Sequence, residues 1–191
     1  MRSLSLAFLL CLALAAGGVR AGDDISVEAR RRDEALEIVC RALIEAPLEL
    51  IWQTLTDYGR LAQFIPGMRS SRVVSRAGAV SVIEQTGEAR FLFVSYPIEV
   101  TLSSTERPPF AIDAVLVKGN LKRLDGAYRI EPKGGGRMLL TWTGLVEAQS
   151  MPPLIGEMVM RSSIEEQFRG MVLEIERREI ARRERVREPR Q

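Results

Sequence analysis

The chain contains no histidine and only two cysteines, Cys11 and Cys40. It therefore lacks the side chain that most often serves as a general base and as a metal ligand. This absence speaks against zinc-dependent chemistry and against a nucleophile activated by an imidazole. We expect no metal site, no cofactor and no recognisable set of catalytic residues.

An excess of charge of either sign is also missing, because 27 basic residues stand against 25 acidic ones. Two of the basic residues, Arg2 and Arg20, lie in an N-terminal segment that we expect to be removed, which leaves the two signs in balance. Binding to nucleic acid depends largely on neutralising phosphates with basic side chains. The balanced charge therefore predicts no nucleic-acid partner.

The N-terminal segment has the pattern of an export signal. Arg2 precedes an apolar run over residues 4–16, and Val19-Arg20-Ala21 precedes a polar stretch. The run is shorter than the roughly 18 to 20 apolar residues of a membrane-spanning helix. We therefore expect a signal peptide over residues 1–21, cleaved after Ala21, and an exported, periplasmic protein. Cys40 would then remain alone, so no internal disulfide can form.

The remaining residues, about 170 in number, suit one domain with a continuous core. Residues 22–36 are highly charged and show no sustained apolar period, which predicts a flexible leader. Residues 37–180 carry the regular patterns and are expected to form the folded domain. Residues 181–191 are an arginine-rich polar tail that we expect to fray.

Apolar residues that alternate with polar ones, between turn-forming residues, predict six or seven β-strands. Two short helices are expected after the first strand, one from Pro47 and one around Leu61. The gaps between the later strands are too short for a crossover helix, so the sheet should be antiparallel. The predicted strands are residues 37–45, 72–75, 79–90, 91–106, 111–117, 121–131 and 137–148.

A long helix is predicted after Pro152-Pro153. Its apolar face consists of Ile164, Phe168, Met171, Val172 and Ile175. Ser162 and Glu165 resemble a capping box, which is compatible with a bend or a restart near Arg161. The apolar face needs a partner, and the concave face of the sheet is the only large apolar surface available. We therefore expect an α+β fold of two layers, with a space between helix and sheet.

Several motifs carry a family resemblance. They are residues 46–58, Phe64-Ile65-Pro66-Gly67-Met68, Glu106-Arg107-Pro108-Pro109, the Gly119 turn, residues 124–128 and the glycines 134–136. Together they resemble the polyketide cyclase/dehydrase and lipid transport family of the START-like (SRPBCC) superfamily over about residues 37 to 180. Within it, the sequence is similar to the coenzyme Q-binding START-domain proteins and to the ribosome-association toxins.

The resemblance implies a helix-grip fold, in which a curved antiparallel sheet wraps around a long C-terminal helix and encloses an apolar cavity. It also implies a hydrophobic small molecule as the ligand. The chain departs from the intracellular members by its export signal, which speaks against a role at ribosomes or in mitochondria.

The cavity wall can be predicted from strand parity and helical spacing. The predicted residues are Trp52, Phe64, Glu84, Tyr96, Ile98, Tyr128, Leu140, Trp142, Met158 and Phe168. Trp52, Phe64 and Phe168 could equally belong to the core, since core and cavity wall are partly one surface in this fold. Glu84 shares parity with Val80 and Val82, so either a β-bulge turns it outward or a carboxylate faces the cavity.

Three functions fit these observations. The first is a monomeric carrier or sensor of a lipid, quinone or polyketide-like compound. The second is a cyclase or dehydratase in which Glu84, Asp57 and Tyr58 act as acid and base. The third is a protein-interaction module that uses the arginines of residues 177–190. These arginines suit a solvated helix end, and contact with an anionic membrane surface is the alternative interpretation.

Overall fold

The structure is a computed structural model that describes residues 25–149 and 152–187. This part of the chain contains eight strands, one short and one long α-helix, and a 3₁₀-helix. The elements are β1 (Ser26–Arg32), β2 (Ala35–Ile44), α1 (Leu48–Leu55), the 3₁₀-helix (Tyr58–Gln63), β3 (Met68–Ala77), β4 (Val80–Phe91), β5 (Val94–Arg107), β6 (Ala111–Gly119), β7 (Leu121–Pro132), β8 (Met138–Ala148) and α2 (Pro153–Arg187).

All eight strands belong to one antiparallel sheet with the order β1-β2-β8-β7-β6-β5-β4-β3. The sheet is curved, and α2 lies on its concave face, where it contacts β2, β4, β5 and β8 as well as α1. The result is the α+β helix-grip arrangement that the resemblance implies. The seven strands predicted from the alternating pattern correspond to β2 through β8.

The core lies between α2 and the sheet. Phe168, Met171, Val172 and Ile175 of α2 are each at most 3% exposed, as the helical spacing predicts. Burial of one such side chain contributes about 1.5–3 kcal/mol. The helix can approach closely because Gly170 has no side chain, since a Cβ there would overlap Pro66.

The first strand was not predicted, because residues 22–36 were expected to form a flexible leader. Residues 26–32 instead pair with β2 over their whole length, so the sheet has eight strands rather than six or seven. Two ion pairs join the two strands. The nitrogen–oxygen distance is 2.7 Å between Arg41 and Glu28 and 2.5 Å between Arg30 and Glu37. Val27 and Ala29 of β1 pack against the core, and the charged residues between them form these cross-strand pairs.

The long helix also differs from the prediction. It runs without interruption to Arg187, so it does not restart near Arg161, and it includes residues 181–187, which were expected to belong to the polar tail. Ile155 and Met158 are 40% and 41% exposed, whereas Val159 is fully buried. Val159 lies two and a half turns before Phe168, so the buried face changes along α2. No helix within the described ranges is long and apolar enough to cross a membrane.

Candidate functional site

Two adjoining chambers lie between the concave face of the sheet and α2. The larger, here the Tyr58 chamber, has a volume of about 160 Å³. The smaller, here the Ser163 chamber, has a volume of about 100 Å³. Five residues line both chambers, namely Met68, Gln85, Leu124, Trp142 and Gln167. The shared wall means that a rearrangement of a few side chains would join the two spaces.

The walls of the chambers are apolar with a few neutral polar groups. Among residues 25–149 and 152–187, no charged side chain lines the Tyr58 chamber. Within the same ranges, Glu88 is the one charged residue that lines the Ser163 chamber, and its carboxylate accepts hydrogen bonds from Ser95 and Arg90 and pairs with Arg69. The cavity therefore suits an uncharged, largely apolar molecule.

A pair of hydroxyl groups lies at one end of the Tyr58 chamber. The Tyr58 hydroxyl lies 3.1 Å from Oγ of Ser104, and both residues line the chamber. Burial raises the pKa of Tyr58 to about 12, although the hydrogen bond with Ser104 acts in the opposite direction. Tyr58 is therefore a neutral hydrogen-bonding group at neutral pH.

Trp142 lies on the sheet where the two chambers meet, and it lines both of them. The sheet side of the cavity around it is here called the floor. Trp142 is the cross-strand partner of Tyr128, and the next pair on the same face is Gly126 with Gly144. A Cβ at Gly144 would overlap the six-membered ring of the indole, and one at Gly126 would lie 3.4 Å from its Nε1. The two glycines thus leave the space on the sheet in which the indole lies.

Tyr128 also faces the Tyr58 chamber. Its side chain is half-buried because it borders the cavity. No residue in ranges 25–149 and 152–187 forms a hydrogen bond with its hydroxyl. Burial raises the pKa of Tyr128 well above its usual range, so the phenol stays protonated.

Cys40 lies outside this site. It is a free cysteine with no exposed surface, and burial raises the pKa of its thiol to about 12. The thiol is therefore protonated and not poised as a nucleophile. Among the described residues, no group of three or more histidine, cysteine, aspartate or glutamate side chains could hold a metal ion.

Of the predicted wall residues, Ile98, Tyr128 and Trp142 line the chambers. Leu140 points to the same side of the sheet but is fully buried in the core. The Tyr96 hydroxyl lies 2.5 Å from the carbonyl oxygen of Asn120 and 3.0 Å from that of Gln149. Tyr96 thus joins the ends of neighbouring strands instead of lining a chamber.

Three predicted aromatic residues pack against other side chains. Trp52 and Phe168 are 9% and 2% exposed and belong to the core. Phe64 is half-buried, and the guanidinium of Arg178 lies 5.4 Å from the centre of its ring. None of the three is among the residues that line the chambers.

Two predicted wall residues are corrected by the structure. Glu84 pairs with Arg72 on the outer face of the sheet, while its neighbours Ile83 and Gln85 line the Tyr58 chamber. β4 keeps a regular register with β5, so no bulge in β4 is involved. Met158 is 41% exposed on the solvent side of α2.

Several cavity residues were not predicted, among them Gln85, Ser104 and Gln167, and Tyr58 was considered only for the enzymatic alternative. In β4, the inward positions are Ser81, Ile83 and Gln85, not the valines that set the predicted parity. Choosing Ile83 as the inward residue would have identified Gln85. No comparable signal exists for Gln167, a polar residue beside the apolar face of α2.

The eight-stranded sheet, the helix on its concave face and the cavity between them define a START-like helix-grip domain. The family model for polyketide cyclase / dehydrase and lipid transport matches residues 44–178, and the chain belongs to this family. No curated protein matches the chain.

Solved structures share the fold at low sequence identity. The STAR-related lipid transfer protein from Xanthomonas axonopodis has a TM-score of 0.64 and 11% identity, covering 81% of this chain and 94% of its own. The Zhui aromatase/cyclase from Streptomyces sp. R1128 has a TM-score of 0.62 and 16% identity, with coverages of 74% and 94%. A START superfamily protein from Mycobacterium smegmatis has a TM-score of 0.63 and 16% sequence identity, and the match covers 74% of this chain and 97% of that protein. At these identities, the likeness shows the fold alone.

Proposed function

We propose that the protein binds or transports a hydrophobic small molecule, such as a lipid, a quinone or a polyketide-like compound, in the cavity between the sheet and α2. The observation that carries the proposal is the pair of adjoining chambers with almost no charge on their walls. The Tyr58 chamber, at about 160 Å³, is similar in size to an apolar cavity of about 150 Å³ that binds benzene. A larger ligand would occupy both chambers.

The relatives support the same class of ligand. One structural neighbour is named a lipid transfer protein and another an aromatase/cyclase. Binding or transport needs the cavity between the sheet and α2 and no catalytic side chain.

The enzymatic alternative relied on three residues as acid and base. Glu84 pairs with Arg72 away from the cavity. Asp57 lies 2.6 Å from Arg60 and 2.9 Å from Arg178. Of the three, Tyr58 alone lines a chamber. This arrangement favours binding over acid–base chemistry by that set of residues.

The interaction and membrane alternatives relied on the arginines near the end of α2. Four of these arginines pair with two glutamates of the same helix, Arg177 and Arg178 with Glu174 and Arg182 and Arg183 with Glu179. The two glutamates offset half of the charge of these four arginines, and Asp57 also pairs with Arg178. These contacts favour a role of the arginines in stabilising the helix over attraction to an anionic surface.

We further propose that the protein acts as an exported monomer. The proposal is tested by purifying the mature protein from the periplasm of its own cell and analysing it by native mass spectrometry and by lipid extraction. The expected result is a co-purified apolar molecule at up to one per chain.

A pair of matched variants tests whether such a molecule occupies the cavity. Ala114 lines the Tyr58 chamber, whereas Ala127 lies on the outer face of the neighbouring strand. Ala114→Leu should reduce the amount of co-purified ligand, and Ala127→Leu should leave it unchanged. Equal ligand content in the two variants would place the ligand outside the cavity.

A further inference from the structure

The floor of the cavity has an unusual local sequence, with two glycines opposite each other beside two aromatic residues. Tyr128 of β7 pairs with Trp142 of β8, and Gly126 pairs with Gly144 two residues along. Side chains two residues apart on a strand point to the same face. All four positions therefore face the cavity, and the indole extends over the glycines.

This placement leaves a broad aromatic surface toward the ligand space. One side of the indole lies against the sheet, and Trp142 also lines both the Tyr58 and the Ser163 chambers. Aromatic rings prefer offset-stacked or edge-to-face contacts with other rings. A flat ring on this floor would therefore gain contacts that a flexible acyl chain would not.

Two hydrogen-bond donors stand side by side on the same floor. Throughout the described ranges, neither the Tyr128 hydroxyl nor the indole Nε1–H of Trp142 has a hydrogen-bond partner in the protein. The indole group can only donate, and the phenol can donate as well. A molecule with an acceptor oxygen would match both groups, whereas a pure hydrocarbon would leave them unmatched in a nearly dry site.

The ligand should also be uncharged. In the part of the chain that the structure describes, no cationic side chain lines the Tyr58 chamber. An anion there would lose its hydration without gaining an ion pair. A carboxylate or a phosphate is therefore disfavoured relative to a ketone or a quinone of the same size.

Resting on the function proposed above, we infer that Tyr128 and Trp142 form a subsite for a neutral, planar ring compound that carries an acceptor oxygen. The ring lies on the indole, and the oxygen accepts a hydrogen bond from the Tyr128 hydroxyl. Gln85 and Gln167, whose amides can donate or accept, and the Tyr58–Ser104 hydroxyl pair are the other polar groups of the chamber.

Three probes of nearly equal size test the inference by equilibrium dialysis. They are 2-acetylnaphthalene, 2-ethylnaphthalene and 2-naphthoate at neutral pH. We expect the ketone to bind about three- to tenfold more tightly than the hydrocarbon, as one net hydrogen bond allows. The carboxylate should bind more weakly than either.

Two variants assign the preference to its residue. Tyr128→Phe removes only the hydroxyl and should abolish the preference for the ketone over the hydrocarbon. Tyr96→Phe, on a strand of the same sheet but outside the chambers, is the matched control and should keep it. Trp142→Phe should weaken the binding of all ring probes, and it serves as a second test if Tyr128→Phe does not fold.

The outcomes separate this subsite from the proposed function. Equal binding of the ketone and the hydrocarbon by the natural protein would overturn the subsite and leave a general apolar cavity. A preference that survives Tyr128→Phe, or tight binding of 2-naphthoate, would likewise overturn it. If none of the probes binds and no apolar molecule co-purifies, the proposed function itself fails.

Discussion

Phe168 illustrates how one side chain links the helix to the sheet. It lies in the middle of the apolar face of α2 and is 2% exposed, and it does not border either chamber. Phe168→Ala should therefore lower the free energy of unfolding by about 3–5 kcal/mol, as in other packed sites. Chemical denaturation measures this change.

Leu173 provides the control for Phe168, since it is on the same helix but 47% exposed. Leu173→Ala should change the free energy of unfolding by less than about 1 kcal/mol. A neutral effect of Phe168→Ala would mean that α2 does not pack on the sheet as described.

The two tryptophans should respond differently to a ligand. Trp142 borders both chambers. Trp52 lies on α1, and its side chain is 9% exposed and belongs to the core. We expect the intrinsic fluorescence to change when an apolar molecule such as 2-ethylnaphthalene fills the cavity. Trp142→Phe should remove that change. If the full change persists in this variant, Trp52 reports it instead.

At the residue scale, the parity predicted for β7 and β8 is correct, whereas that predicted for β4 is wrong although its register with β5 is regular. Tyr128, Leu140 and Trp142 follow simple parity along β7 and β8. Parity cannot separate a core residue from a cavity residue, because both face inward. Leu140 belongs to the core, whereas Trp142 lines the cavity, although both positions have the same parity. That distinction depends on the sizes of neighbouring side chains, here the glycines under the indole.

At the scale of elements, an ion-paired contact holds the end of α2 to the segment after α1. Arg178 lies 2.7 Å from Glu174 and 2.9 Å from Asp57, and it also covers the ring of Phe64. The Arg178 side chain is 17% exposed, so these contacts are only partly screened by water. They join the helix to the residues that flank the Tyr58 chamber.

Arg178→Ala should destabilise the protein by about 1–3 kcal/mol, because two partly buried carboxylates lose a charged hydrogen bond. Arg177→Ala is the matched control. Arg177 is 69% exposed and pairs with Glu174 alone, so its loss should cost less than about 1 kcal/mol. Equal effects in thermal unfolding would contradict the role of the Asp57 contact.

The same contacts predict acid sensitivity. Hydrogen bonds from Arg60 and then Arg178 hold the pKa of Asp57 below its usual value. Hydrogen bonds from Arg177 and Arg178 likewise hold the pKa of Glu174 below the usual value of a glutamate. A carboxyl with a lowered pKa in the folded state stabilises the fold above its unfolded-state pKa, about 4, and this contribution is lost as the pH falls further.

Urea denaturation at pH 7, 5, 4 and 3 should therefore show a constant contribution from these groups down to about pH 5 and a progressive loss below it. The free energy of unfolding should decline less steeply with falling pH in the Arg178→Ala variant, because Asp57 and Glu174 each lose one of the groups that lower their pKa. A parallel decline in both proteins would exclude this contact as a source of the acid sensitivity.

Elements with long apolar periodicity could be predicted from the sequence, and those with a short period among many charges could not. Strands such as β2 and β8 alternate over ten or eleven residues. In contrast, β1 has only Val27 and Ala29 on its inner face before three consecutive arginines, residues 30–32, and the pairing of its charges depends on partners that only the fold brings together. The last turns of α2 are similar, because glutamates followed by arginines three and four residues later stabilise a helix without an apolar face.

At the scale of the whole molecule, β1 connects the edge of the sheet to α2. Arg31 of β1 lies 3.0 Å from Glu157 in the first turns of α2. The opposite end of α2 is held by Arg178 and by Arg183, which donates to the carbonyl oxygen of Glu45. Both ends of the helix above the cavity are thus tied to the same side of the fold, which contains β1, β2 and α1.

This arrangement makes a prediction about the mature chain. The proposed cleavage after Ala21 would remove the export signal and keep all of β1, which begins at Ser26. A protein that begins at Gly22 should therefore have its full stability and its cavity. A protein that begins at Ala35 would lose β1 and the ion pair with Glu157, and would leave the backbone of β2 exposed as a new sheet edge.

We expect the chain from Ala35 to unfold at a lower temperature than the chain from Gly22 and to aggregate more readily. Thermal unfolding and light scattering of the two purified proteins measure these differences, and N-terminal sequencing of exported protein locates the natural start. Equal stability would show that β1 contributes little to the fold. A natural start beyond residue 32 would contradict the proposed cleavage, because the mature chain would then lack β1. A membrane-bound protein that retains Met1 would also contradict it, because the N-terminal segment would then not be removed.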